Sequence, residues 1–333
     1  MADKTATEPA SILASQADYL IATATRAPSV HNTQPWRFNV TQSAVELYCD
    51  SRRQLLADPD GREMLISCGA ALYGLRLAVR SLGYLPVVDV LPEPGSTRLL
   101  ARVTPGVAAP VTAGEREMLK ALPHRHTHRG AFASDPLPAG LLAGLQHDAM
   151  AERARLEVID QGLAYQRLAD IVSAAARRLD LDPWARAETR FWSGSVASPA
   201  RDGIPAHAFP ATTARQPGRR SGRLRQRDFD LGRGLGLLTA DGAGPAVTAV
   251  LLTAGDGPHD WLCAGQALHR LLLHAATRWV FASLYTQPLE HDVIRVLIRD
   301  RLALPGAPQL LLQLGVAHTT HATARRPPQD LIG

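Results

Sequence analysis

The string Arg26-Ala-Pro-Ser-Val-His-Asn-Thr-Gln-Pro-Trp-Arg-Phe38 gathers two prolines and several short polar side chains in one place. Pro28 ends a helix and Pro35-Trp36 lead into a strand, so Ser29, Asn32 and Gln34 stand beside exposed backbone. Such a loop can offer donors and acceptors to a planar heterocycle. The same residues also describe a capped turn over a buried tryptophan. A second group, Arg125-His-Thr-His-Arg129, alternates cations with a hydroxyl. On extended backbone Arg125, Thr127 and Arg129 fall on one side and can share one phosphate, because a guanidinium donates parallel hydrogen bonds to an oxyanion. Two other readings stay open for it. One is a solvated basic turn. The other is a metal site built from His124, His126 and His128, which no Cys, Asp or Glu joins locally.

A scaffold must hold these groups, and 333 residues at 46% hydrophobic and 20% charged suffice for one large domain or two ordinary ones. Apolar residues recur at helical spacing over 15–24 and 67–81, the latter after the turn sequence Asp58-Pro-Asp-Gly61. β-like runs occupy 37–40, 45–49, 99–103, 156–159, 246–253 and 309–314. Cys68-Gly-Ala-Ala-Leu-Tyr-Gly-Leu-Arg-Leu aligns without gaps on Ala264-Gly-Gln-Ala-Leu-His-Arg-Leu-Leu-Leu. Each copy is an amphipathic helix with an early glycine that permits close approach, followed later by an apolar strand. Residues 193–230 carry Pro, Gly and the arginines Arg215, Arg219, Arg220, Arg223, Arg225 and Arg227 without periodicity. A loop of that length is a lid or a solvated segment.

Composition removes several classes. No apolar run reaches the roughly 18 residues a membrane span needs, and no secretory or twin-arginine signal opens the chain, which predicts a cytoplasmic protein without a membrane partner. Cys49, Cys68 and Cys263 are too scattered for a disulfide framework or a zinc site and read as small buried hydrophobes. The charge of +5 comes almost wholly from arginine, with Lys4 and Lys120 the only lysines, and suits an anionic ligand. Aromatics at 5% form no stacking stripe, which argues against a nucleic-acid partner. There is no Gly-x-Ser-x-Gly elbow and no Gly-x-Gly-x-x-Gly in a strand–turn–helix setting.

The string PSVHNTQPWRF resembles the flavin-contacting loop of the FMN-dependent nitroreductase superfamily, and with GREMLISCGAAL downstream it is similar to the Acg-type branch. The resemblance spans about residues 15–330, with 193–230 least matched. It implies an α+β nitroreductase-like fold of central β-sheets flanked by helices, with FMN as cofactor. By it, Pro28, Ser29, Val30, Asn32 and Gln34 cover the isoalloxazine ring. Arg125, His126 and Thr127 belong to the phosphate segment, and Arg129 sits at the N1/O2 edge. Gln287, Pro288, Leu289 and Glu290 match the segment whose backbone lies against N5, with His291 where glycine is frequent. Arg325 and Arg326 match the terminal basic segment that completes the phosphate site.

Residues 11–112 hold the ring-covering loop and lack the phosphate segment. Residues 113–333 hold the phosphate segment and, at the loop's equivalent, read AMAERARLEVI. The expectation is an internal pseudo-dimer with one FMN site at its seam, functioning as a monomer, with 193–230 as its lid. The resemblance implies hydride transfer through N5 from NAD(P)H to a small electron-poor acceptor such as a nitroaromatic or quinone, with no catalytic side chain and no metal. The rival reading is an FMN-sequestering flavoprotein whose lid seals the site.

Overall fold

The computed structural model describes residues 9–194, 201–211, 224, 227–238 and 244–333. Its first part contains α1 (Pro9–Ser15), α2 (Ala17–Ala24), β1 (Trp36–Val40), β2 (Val45–Cys49), α3 (Arg62–Ser81), β3 (Tyr84–Val90) and β4 (Leu99–Ala108). Then come α4 (Ala113–Ala121), α5 (Leu141–Ala151), β5 (Ala154–Ile159), α6 (Leu163–Asp180) and α7 (Pro183–Phe191). The last part holds β6 (Val247–Thr253), α8 (Pro258–Ala276), β7 (Val280–Leu284), α9 (Asp292–Arg301) and β8 (Ala307–Val316). The helix expected over 15–24 is two helices broken at Gln16. The one expected from residue 67 begins at Arg62, because the Asp58 carboxylate accepts from the amides of Glu63 (3.0 Å) and Met64 (2.9 Å) and caps it early.

The two aligned helices are α3 and α8, and they cross backbone to backbone. A Cβ added to Gly265 would lie 2.0 Å from the Ile66 carbonyl oxygen, and one added to Gly69 would lie 2.3 Å from that of Leu262. Glycine stands in both copies because a methyl group would hold the helices apart. Each helix packs on one of two antiparallel four-stranded sheets, and the sheets share one strand order: β1-β2-β4-β3 and β5-β6-β8-β7. A strand missed by the sequence reading, β3 or β7, lies between each helix and the strand expected after it. Pro86 and alternating exposure disguise β3, and β7 is a five-residue apolar run directly after a helix.

The sheets differ on their outer faces. On the first, a half-buried polar bridge of Asn39, Glu46 and Arg102 covers the strands. On the second, Val250, Leu252 and Leu311 are covered by Leu168 and Val172 of α6 and Ile298 of α9. The chain's end returns to the first sheet, where the Phe38 amide donates to Leu331 O (2.8 Å), and this brings residues 324–326 beside the loop before β1. Among the described residues, no helix is long and apolar enough to cross a membrane.

Candidate functional site

A cavity of about 80 Å³ lies between the two sheets, lined by residues 28–31, the first turns of α3, Leu268 of α8, residues 127–129 and residues 283–288. The loop before β1 is strained: His31, Asn32 and Gln34 adopt φ of 48°, 58° and 52°, the left-handed region that side chains disfavour. Surrounding bonds hold it there. Asn32 Nδ2 donates to Gly203 O (3.0 Å) and Ala324 O (3.1 Å), and Asn32 Oδ1 accepts from Arg325 Nη1 (3.0 Å). Gln34 Nε2 donates to Arg201 O (2.9 Å) and its Oε1 accepts from the Arg326 amide (2.9 Å). Ser67 Oγ accepts from the Val30 amide at 3.2 Å, fixing the loop to α3. Opposite, the extended segment 125–129 hangs on β7: the His128 amide donates to Ala282 O and Ser283 Oγ to His128 O, both at 2.9 Å.

The cavity wall therefore includes Pro28, Ser29, Val30, Thr127, Arg129, Gln287 and Pro288 of the residues anticipated from sequence. Asn32, Gln34, Arg325 and Arg326 lie behind the loop and brace it. His126 turns back to Pro123 O (3.0 Å), and burial beside Arg125 keeps it neutral, its pKa lowered to about 3. Leu289 is wholly buried under β8 and α6. Glu290 does not line the cavity; its side chain pairs with Arg227, which does. Trp184 is 73% exposed and does not line it either.

Charge singles out one corner. Arg125 is buried, donates from Nη2 to Arg26 O (2.9 Å) and, among the described residues, leaves Nε and Nη1 without a partner. Withdrawal from water, and then the neighbouring Arg26 and Arg129, lower it to about 10; withdrawal from water also lowers Arg129 to about 10. Arg325 falls to about 9, through withdrawal from water and then Arg125, Arg26 and Arg129. Among the described residues none of these cations pairs with a carboxylate. A buried guanidinium with idle donors is a costly arrangement that an incoming oxyanion relieves. Among the described residues no group of three His, Cys, Asp or Glu is placed to hold a metal ion.

Several wall residues escaped the sequence reading: His31, Glu63, Ser67, Arg227 and Phe229. His31 sits inside the string quoted for its neighbours, Glu63 and Ser67 sit inside GREMLISCGAAL, and Arg227 is one of the lid arginines. Phe229 carried no local signal. Its ring lies 5.3 Å from the Arg129 guanidinium and meets the His31 ring edge-on at 5.6 Å. Arg215, Arg219, Arg220, Arg223 and Arg225 lie outside the described residues.

No family model matches the chain. A Mycobacterium tuberculosis H37Rv protein named as an NAD(P)H nitroreductase is 34% identical over 302 residues, covering 88% of this chain and 83% of its own. The NAD(P)H nitroreductase Acg of the same organism is 30% identical over 314 residues, covering 93% of this chain and 92% of its own. A nitroreductase with bound FMN from Desulfitobacterium hafniense has a structure similar over 65% of this chain and 97% of its own, at 16% identity and a TM-score of 0.40. With 30–34% of aligned residues identical over 83–92% of these relatives' lengths, the chain belongs to the Acg-type branch of the nitroreductase family.

Proposed function

We propose that this chain is an FMN-dependent oxidoreductase that takes reducing equivalents from NAD(P)H and delivers them to a small electron-poor acceptor of the nitroaromatic or quinone class. The observation that carries this reading is Arg125, buried among cations and, among the described residues, with no carboxylate beside it and two unpartnered donors. An FMN phosphate is dianionic and has the oxygens those donors lack. Arg125 and Thr127 would bind it; Arg325 supplies further positive field while bracing the loop.

Bound there, FMN would supply the hydride chemistry. The chain's own work is positioning and electrostatics. Arg129, a cation at the cavity wall, favours negative charge on the N1/O2 edge of the ring. Pro28, Val30 and Pro288 bring apolar surface to the cavity that excludes water. Ser29 and Gln287 offer polar groups at the ring's margin. Asn32, Gln34 and Arg326 keep the covering loop in its strained form.

The shared strand order of the two sheets and the α3–α8 crossing support an internal pseudo-dimer of residues 11–112 and 113–333. One complete site at the seam then suffices in a monomer. Acg-type lids give the second reading, an FMN-holding protein with little turnover, and one observation favours it: Arg227 and Phe229 of the 193–230 segment reach into the cavity.

The visible spectrum of the purified protein, followed anaerobically with NADH or NADPH, tests both. No flavin spectrum, even after incubation with FMN, removes both readings. Prompt bleaching at about one FMN per chain supports the oxidoreductase. A flavin that resists nicotinamide and bleaches with dithionite supports the holding protein.

A further inference from the structure

Phe229 lies in the space between the two walls that would face a flavin ring. The guanidinium of Arg129 stands 5.3 Å from its centroid, and His31 of the covering loop presents its ring edge at 5.6 Å. The turn that carries it is densely hydrogen-bonded. Asp230, fully buried, accepts from the amides of Gly234 (2.8 Å), Leu235 (2.7 Å) and Gly236 (3.0 Å). Phe229 O accepts from Ser193 Oγ and Arg233 Nη2, both at 2.8 Å. Arg227 ties this turn across the cavity: it donates from Nη2 to Glu290 Oε1 and from Nη1 to His31 Nε2. It thus joins the loop of the first half to the segment after β7 in the second.

We propose that Arg227, Glu290 and His31 form a proton-sensitive latch that holds Phe229 in the cavity and controls when a planar ligand can enter. This rests on reading the cavity as the ring site.

Only one member of the latch titrates near neutrality. His31 is held neutral by burial and by the positive charge of Arg227 and Arg129, so its Nε2 remains an acceptor. Glu290 is different. Burial pushes its carboxyl up to about 7, with Arg227 opposing the rise and the carboxylates of Glu63 on α3 and Glu188 on α7 adding to it. From α9, Arg295 spends its Nη donors on the carboxylates of Asp292 (2.7 Å) and Asp256 (3.3 Å) and on Leu289 O (3.0 Å), and it makes no ion pair with Glu290. The ion pair needs the carboxylate. With Glu290 still buried after Arg227 swings away, its carboxyl loses the cation that lowers it and titrates higher than in the closed latch, so deprotonation favours closure and closure is lost as pH falls through about 7. A protonated Glu290 still offers Arg227 a carbonyl oxygen, though without the charge.

Stopped-flow fluorescence of FMN mixed with apoprotein reads the latch through the association rate. In the wild type the rate should rise at least about fivefold between pH 8 and pH 6, following the loss of ionised carboxylate. Glu290→Gln should be fast at both pH values. Arg227→Met, which breaks the latch without touching Glu290, should be fast too, and Phe229→Ala should remove the barrier while leaving the ion pair intact. Wild-type rates that do not change with pH overturn the proposal, as does a pH dependence that survives in Glu290→Gln or in Arg227→Met. Absence of FMN binding at every pH and in every variant instead overturns the cavity's assignment to FMN.

Discussion

On one side of the α3–α8 crossing, Arg76 and Arg270 converge on the buried Glu152 at 2.5 and 2.9 Å, and Arg270 also holds Asp148 at 2.9 Å. On the other side, Arg125, Arg129 and Arg325 crowd together and, among the described residues, share no carboxylate. The first cluster carries its own counter-charges and is a structural network that joins α3, α5 and α8. Among the described residues the second leaves charge uncompensated, a cost that a bound anion would offset. Both are arginine-rich. Compensation, not composition, distinguishes a brace from a binding site.

Perturbing the crossing itself has the largest expected effect. Gly265→Ala forces a methyl group against the Ile66 carbonyl and should cost about 3 kcal/mol, the upper end for overpacking, seen as a large fall in Tm and loss of FMN binding together. If FMN binding survives at full stability, the crossing does not position the site. Arg125→Ala should weaken FMN binding about 100-fold, the equivalent of about 2.7 kcal/mol, in a fluorescence titration. Riboflavin, which lacks the phosphate, should bind the variant and the wild type alike, and the apoprotein should melt no earlier than wild type. An equal loss for riboflavin would place Arg125 in the fold rather than in the phosphate site.

Glu152→Ala is the mirror experiment. It strands Arg76 and Arg270, and because both arginines are about a quarter exposed the cost should be about 2 kcal/mol, below the value for a fully buried pair. Chemical denaturation should report that loss with FMN affinity unchanged. A drop in affinity as large as that of Arg125→Ala would erase the distinction between the clusters. The smallest effect is that of inorganic phosphate on the apoprotein. At ten times its Kd it should add about 1.4 kcal/mol to stability, a shift of a few degrees in Tm that vanishes in Arg125→Ala and persists in Glu152→Ala.

Much of the scaffold was legible because it rests on short-range patterns. The strands at 45–49 and 309–314, the helix through Gly69 and its copy through Gly265 all follow from local periodicity. The strand β3 did not, since Leu85, Val87 and Asp89 face solvent on an edge and give it no apolar signature. In the site, Pro28, Ser29, Thr127 and Arg129 were accessible from local chemistry or from resemblance. Asn32, Gln34 and Arg325 have the right composition for ligand contact, yet their bonds run to Gly203, Arg201 and Thr25. A polar side chain in a loop does not reveal whether its partner is a ligand or backbone nearly two hundred residues away.

By itself the sequence determined that two helices could meet at glycine, that a polar loop bounded by prolines precedes the first strand, and that arginine supplies nearly all the positive charge. Those are properties of residue type and local spacing. Only the tertiary structure decided which arginines lack a counter-ion, that Phe229 stands in the cavity, and that Arg227 links His31 to Glu290. Desolvation and Coulomb forces act through space, so the state of a charge depends on side chains that the chain brings together from distant positions.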